Sequence, residues 1–194
     1  METKEIKTSK GLHLVKNEDG KSYTAKGIGS FSGKELQIGV CEDGLPVTKI
    51  ADCAFRSKQI EKLVLGESVR EIGKKAFFWC DNLSSVETYG VEKIQWLAFS
   101  NCLKLQTLTL GEKITVIGEC AFEECKKLSF VEIPKSVQEI GASAFYACPL
   151  ERAVFRCVDG WVGENIPDLK SEKDAARRLS SANAYSLKRI AKDK

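Results

Sequence analysis

The stretch Ile114-Thr-Val-Ile-Gly-Glu-Cys-Ala-Phe-Glu-Glu-Cys-Lys-Lys-Leu128 returns 23 residues later as Val137-Gln-Glu-Ile-Gly-Ala-Ser-Ala-Phe-Tyr-Ala-Cys-Pro-Leu150. Worked outward from this pair, the same frame runs through the centre of the chain. Ala-Phe stands at Ala54-Phe55, Ala76-Phe77, Ala98-Phe99, Ala121-Phe122 and Ala144-Phe145, in steps of 22, 22, 23 and 23 residues. Four positions before each Ala lies Ile50, Ile72, Ile94, Ile117 or Ile140, and three before that Val47, Val69, Val91, Ile114 or Val137. Cys80, Cys102, Cys125 and Cys148 follow their Phe by three, with Lys58 in that place in the first copy. Apolar triplets come next: Ile60, Leu63, Leu65; Leu105, Leu108, Leu110; Leu128, Val131, Ile133; Leu150, Ala153, Phe155. Chance does not hold so many columns in phase.

A period of 22 to 23 with an L-x-x-L-x-L core lies in the leucine-rich-repeat range. One such segment has too little apolar surface to fold alone, so its Leu, Ile and Phe columns must stack on those of its neighbours. The triplets predict short strands in a parallel sheet, with rows about 4.8 Å apart. The Ala-Phe-x-x-Cys block predicts a helical or 3₁₀ turn on the opposite side, with Ala where backbones crowd. Leu65-Gly66, Leu110-Gly111 and Ile133-Pro134 close the strands with turn formers. The predicted fold is a right-handed β/3₁₀ or β/α horseshoe-like solenoid with a parallel sheet.

The Ile-Gly-x-x-Ala-Phe-x-x-Cys block, over residues 45 to 157, resembles the repeat of the BspA-type leucine-rich-repeat family. The preceding segment, Tyr23 to Ile50, resembles the way such proteins lead into their first repeat. The resemblance implies bacterial or protozoal surface and secreted proteins, associated with adhesion and protein binding. The expected organisation is an N-terminal β cap over 1–44, five repeats over 45–157 and a C-terminal cap over 158–194. The Asp19-Gly20 and Asp43-Gly44 turns mark the first cap. In the last, Ser171-Glu-Lys-Asp174 reads as a capping box opening a helix to Lys192, with Leu179, Asn183, Leu187 and Ile190 on one side.

Charge is spread unevenly. Of a net +3, residues 170–194 contribute +5, so a basic tail sits on a mildly acidic body. Arg177, Arg178, Lys188, Arg189, Lys192 and Lys194 lack the aromatic interleaving of a nucleic-acid surface and read as a solvated helix face. No run approaches the 18 or so apolar residues of a membrane helix. The N-terminus has no apolar export segment. These features predict a cytoplasmic protein, or a secreted or surface one if an export signal precedes this sequence.

Catalytic chemistry finds little support. The single histidine, His13, has no motif around it. Gly27-Ile-Gly-Ser-Phe-Ser-Gly33 is glycine-rich but lacks the phosphate-binding spacing and the following helix, so it reads as a turn. The cysteine column reads as a ladder of buried thiols. Disulfides between adjacent copies are the alternative by distance. Zinc is disfavoured, because Cys120-x₄-Cys125 has no matching pair. Cys41 and Cys157 lie outside the column as candidates for redox regulation. Asn82-Leu83-Ser84 is a formal glycosylation sequon whose Leu83 belongs to the core. The expectation is a non-enzymatic protein with no metal and no cofactor.

Binding is therefore expected on side chains between the triplet positions, which alternate outward along a strand. One column reads Lys62, Ser85, Thr107, Phe130, Arg152, and its neighbour Val64, Glu87, Thr109, Glu132, Val154. Phe130 is the aromatic anchor near the centre, of the kind that dominates interface energetics. A second candidate is an apolar patch of Phe78, Trp79, Trp96 and Leu97 on the turn side, where Arg56, Phe78, Ser100, Glu123 and Tyr146 also point outward. A partner, self-association or packing of the caps would each explain that patch. The leading expectation is a protein or peptide-binding module, and the alternative is an adhesin that binds host proteins.

Overall fold

The computed structural model describes residues 5–162, 171–181 and 186–189, which form a solenoid with parallel sheets. A hairpin opens it: β1 (His13–Lys16) runs antiparallel to β2 (Tyr23–Gly27) around the Asp19-Gly20 turn. Six successive coils among the described residues then give one strand to each of two sides. These are β2 with β3 (Glu35–Ile38), β4 (Val47–Ile50) with β5 (Lys62–Leu65), β6 (Glu71–Ile72) with β7 (Ser85–Thr88), and β8 (Lys93–Ile94) with β9 (Thr107–Thr109). The last two are β10 (Val116–Ile117) with β11 (Phe130–Ile133), and β12 (Glu139–Ile140) with β13 (Arg152–Phe155). The first of these coils precedes the first Ala-Phe and has no such pair.

The triplet strands stack in the predicted register, Lys62 beside Ser85 and Ser85 beside Thr107. This sheet has a break. β3, β5, β7 and β9 form one unit, and β11 and β13 another. Pro134 supplies a physical reason. Gly66 N–H donates to Ile38 O at 2.8 Å and Tyr89 N–H to Leu65 O at 3.0 Å, each one residue past its strand. Pro134 occupies that place after β11 and has no N–H to give Leu110. Gly111 N–H, meanwhile, donates to the Thr88 hydroxyl at 3.1 Å, and that hydroxyl lies 3.2 Å from Thr109 O.

The longer sheet lies on the Glu-Ile side, in the order β1-β2-β4-β6-β8-β10-β12 and then the C-terminal strands. Its strands β6, β8, β10 and β12 are each only two residues long. Gly118 and Gly141, directly after the isoleucines, let the coils approach: a Cβ on Gly141 would lie 2.3 Å from Glu119 N.

The Ala-Phe side combines the expected turns with a third hydrogen-bonded ladder. Three-residue turns do occur, as from Arg56 N–H to Cys53 O at 3.2 Å. They alternate with bonds to the next coil: Phe55, Phe77, Phe99 and Phe122 N–H donate to the Ala carbonyls of the following coil at 2.7–2.8 Å. This alternation places the residues two before and two after each Phe in the left-handed region, with φ of 52–61° at ten non-glycine positions. Left-handed backbone costs on the order of 1 kcal/mol per residue. Bonds such as Cys53 N–H to Lys74 O and Ser57 N–H to Phe78 O, at 2.9 and 2.8 Å, accompany and offset it.

Inside, Phe55, Phe77, Phe99, Phe122 and Phe145 are fully buried and stack with centroids 5.1–5.2 Å apart and planes within 9°. The four ladder cysteines are free and donate to core Phe carbonyls one coil back: Cys80 Sγ to Phe55 O at 3.0 Å, Cys102 to Phe77 at 3.3 Å, Cys125 to Phe99 at 3.4 Å and Cys148 to Phe122 at 3.0 Å. Burial pushes the Cys80 thiol up to about 11 and raises Cys102 and Cys125 in the same direction.

Both ends of the stack are covered, which protects exposed sheet edges. Ile6 to Ser9 lies along the first coil, with Ser9 N–H on Gln37 O at 2.8 Å and Thr8 N–H on Val40 O at 2.9 Å. At the other end β14 (Trp161–Val162), α1 (Glu172–Ser180) and β15 (Leu187–Arg189) form the cover. Ser171 caps α1 by accepting from Asp174 N–H at 3.3 Å. The helix stops short of the expected Lys192. Ser180 and Ser181 hydroxyls turn back on Ala176 O and Arg178 O, at 2.9 and 3.2 Å, and Ser181 is extended. Leu187 then lies in a strand paired with Ile140. Asn183, Ile190, Lys192 and Lys194 lie outside the described residues. Arg178 is buried with Ala175, Ala176 and Leu179, not on a solvated face. Lys188 pairs with Glu139 at 3.8 Å, and Arg189 N–H donates to Gln138 O at 2.7 Å, so part of the basic tail ties down the last coil.

Candidate protein-binding face

The period-2 pleat of the triplet strands turns the two predicted columns outward as aligned rows. Phe130 sits beside Arg152, Glu132 beside Val154, and Glu87 beside Thr109. Thr107, Thr109, Phe130 and Arg152 are exposed, and Lys62, Ser85, Glu87, Glu132 and Val154 are half-buried. Val64 departs from the expectation, being only 7% exposed. It lies between Gln37 and Glu87 in register, and Lys62 reaches Glu87 at 3.5 Å alongside it, so long neighbours cover a short side chain.

Two clusters organise this face. On the first sheet, Glu87 joins Lys62 to the Tyr89 hydroxyl, which donates to Glu87 Oε2 at 2.6 Å. Beyond the sheet break, the Arg152 guanidinium lies 5.4 Å from the centroid of the Phe130 ring, a cation–π distance. Arg152 Nε also donates to Glu172 Oε2 at 2.6 Å, and this carboxylate raises the guanidinium's proton affinity further. Helix α1 thereby fixes the arginine that covers the ring. Arg156, one residue past β13, pairs with Glu132 of β11. Phe130 stays 39% exposed, with β9 and the break on its other side. The sequence places Phe130 and Arg152 on the outward columns, where they stand exposed and side by side; Glu172's contact with Arg152 and the break have no such signal in it, beyond Pro134 for the break.

The turn-side residues are divided. Trp79 and Trp96 are 50% and 40% exposed, whereas Phe78 and Leu97 are half-buried. Ser100, expected outward, is fully buried: its hydroxyl lies 3.3 Å from Glu123 Oε2 and accepts from Asn101 at 3.0 Å. His13 is exposed on β1. Asn82 is engaged at both ends of its amide, by Gln59 and by Lys104, the latter at 2.7 Å. An open cavity of about 410 Å³ beside the N-terminal hairpin is lined by Leu12, Tyr23, Cys41 and Asp43 among others. No helix of the described residues is long and apolar enough to cross a membrane.

Comparison with known proteins places the fold in a family. Six copies of the BspA type Leucine rich repeat region match residues 48–159. Among solved structures, the chain is similar to a T. pallidum leucine-rich-repeat protein, at 30% identity and a TM-score of 0.67, over 75% of this chain and 69% of that one. It shares its fold with a leucine-rich-repeat protein from Bacteroides ovatus, at 24% identity and a TM-score of 0.62, over 75% of this chain and 40% of the other. A third, from Bacteroides capillosus, matches at 21% identity with a TM-score of 0.52, over 79% of this chain and all of that one. No curated protein matches the chain. With the repeat spanning more than half of its 194 residues, the chain belongs to the BspA-type leucine-rich-repeat family.

Proposed function

We propose that the protein is a non-catalytic interaction module whose sheet face, centred on Phe130 and Arg152, binds a protein or peptide. The observation that carries this reading is the exposed Phe130 ring, held under an arginine that α1 anchors through Glu172, beside the break in the sheet. An exposed aromatic and an ordered arginine are the residue types that most often dominate interface energetics. Fixing them before contact lowers the entropy lost on binding. The free thiols of Cys41, Cys53, Cys120 and Cys157 favour a reducing compartment, the cytoplasm.

The test is affinity capture with purified wild type and with F130A, R152E and W79A, followed by measured binding of each captured protein. The reading expects a partner whose affinity falls at least about tenfold with F130A and R152E and is unchanged by W79A. Binding that survives both sheet-face changes, or that depends on Trp79 alone, overturns it. Fractionation of the native cell tests the compartment; recovery outside the cytoplasm with oxidised surface thiols contradicts that part.

A further inference from the structure

The Ala-Phe side carries a charge order that no core requirement imposes. Over 51–58 and 73–80, the first two Ala-Phe coils hold Arg56, Lys58, Lys74 and Lys75 against Asp52, a net of +3. The third, 95–102, has no charged residue. The fourth, 118–125, holds Glu119, Glu123 and Glu124, a net of −3, and the fifth, 141–148, none. The uncharged middle coil presents the exposed Trp96 between the two charged regions, and Trp79 is exposed on the basic second coil beside it. The basic groups are already arranged on rings: Lys75 Nζ is 4.5 Å from the Trp96 centroid, and Arg56 is 5.4 Å from that of Phe78, which stacks on Trp79.

We propose that this side is a self-association surface, on which a second copy of the chain packs face to face in reversed coil order. The two charged regions balance, and they lie on either side of the third coil. A two-fold axis along the stack would set Lys75 against its own copy, like against like. A two-fold axis across the stack at the third coil reverses the order instead. It brings Lys74 and Lys75 of each copy over Glu119 and Glu123 of the other, and Trp96 onto its counterpart. Such an isologous contact satisfies both ends at once. The five coils span about 20 Å, from four steps of 5.1–5.2 Å. That is the small end of protein interfaces, so the association is weak and sensitive to salt.

Sedimentation equilibrium of the full chain at about 50 mM and about 500 mM salt tests the inference. Wild type is expected to dimerise at low salt and dissociate at high salt. The variants K74E/K75E and E119K/E123K should each weaken self-association by about tenfold or more. Mixed in equal amounts, they should restore a heterodimer, because the reversed charges complement each other again. W96A should also weaken the dimer. All these side chains are at least partly exposed, so matching thermal melts will separate loss of association from loss of fold. A monomeric wild type at about 1 mM in low salt overturns the inference. So does a dimer indifferent to both charge variants, or a mixture of them that stays monomeric.

Discussion

Phe99 is the middle ring of the internal stack, and its truncation measures how much the coils depend on each other. Its side chain is fully buried, with Phe77 5.1 Å away on one face and Phe122 5.2 Å away on the other. Phe-to-Ala changes in a core cost about 3–5 kcal/mol. Phe99 belongs at the upper end, because two flat ring contacts are lost and the neighbouring coils are pinned by Phe77 N–H on Ala98 O and Phe99 N–H on Ala121 O, both at 2.8 Å. Those bonds keep the coils from collapsing into the hole. For a chain of this size, 4 to 5 kcal/mol lowers the melting temperature by roughly 10–15 °C. F99A should therefore lose about 4–5 kcal/mol in urea unfolding followed by circular dichroism, with an unchanged m-value. F78A, which truncates a half-buried ring on the outer side, should lose about 1 kcal/mol. If F99A costs no more than F78A, stacking through the Phe column does not hold the coils together.

Other consequences follow from buried polar groups. The Cys80, Cys102 and Cys125 thiols keep their protons to higher pH in the fold than in the unfolded chain, where a thiol ionises near 8.5. Above the unfolded value the folded state holds more protons, so stability is full below about pH 8.5 and falls as pH rises, for Cys80 by up to about 1.4 kcal/mol per pH unit toward about 11, with Cys102 and Cys125 acting in the same direction. Urea midpoints at pH 8 and pH 10 should differ, and C80A/C102A/C125A should flatten the difference; an equal slope in wild type and variant would contradict the burial of neutral thiols. T88V removes the hydroxyl that accepts from Gly111 N–H and meets Thr109 O, and should cost about 1–3 kcal/mol despite adding an apolar methyl. A stabilised T88V, read by thermal melting, would mean that this hydroxyl does not hold the end of β9.

The parts of this fold that were legible in sequence are those written in every copy. Phe, Ile, Leu and Cys recur at fixed offsets because each must fill the same place against the coil above and below. The strands at Glu71-Ile72 and its equivalents were not legible, since two residues are too few for an alternation to appear. Left-handed backbone at Cys53, Lys75, Trp79 or Asn101 gives no glycine signal, because hydrogen bonds between coils impose it. Leu187 fits the spacing of both a helix and a strand, and only the serine-rich end of α1 distinguishes them. On the candidate face, the outward columns followed from the pleat, but Val64 was lost to its longer neighbours. Glu172, about twenty residues from Arg152 and outside the repeat, had nothing in its local sequence to link it to that arginine.

From the first Ala-Phe coil onward each coil is held by the next through the Glu-Ile and Ala-Phe ladders and the internal stack, with the triplet ladder added everywhere but at the break between β9 and β11, so whole coils are removable and half coils are not. Unfolding of two deletion variants by circular dichroism tests this directly. Removal of residues 89–110, one full period of 22, joins Thr88 to Gly111 in phase and should leave a cooperative, less stable fold. Removal of 89–99 alone, half a period, puts the Ala-Phe and triplet columns out of register and should leave no cooperative transition. Equal stability of the two deletions would contradict the solenoid account.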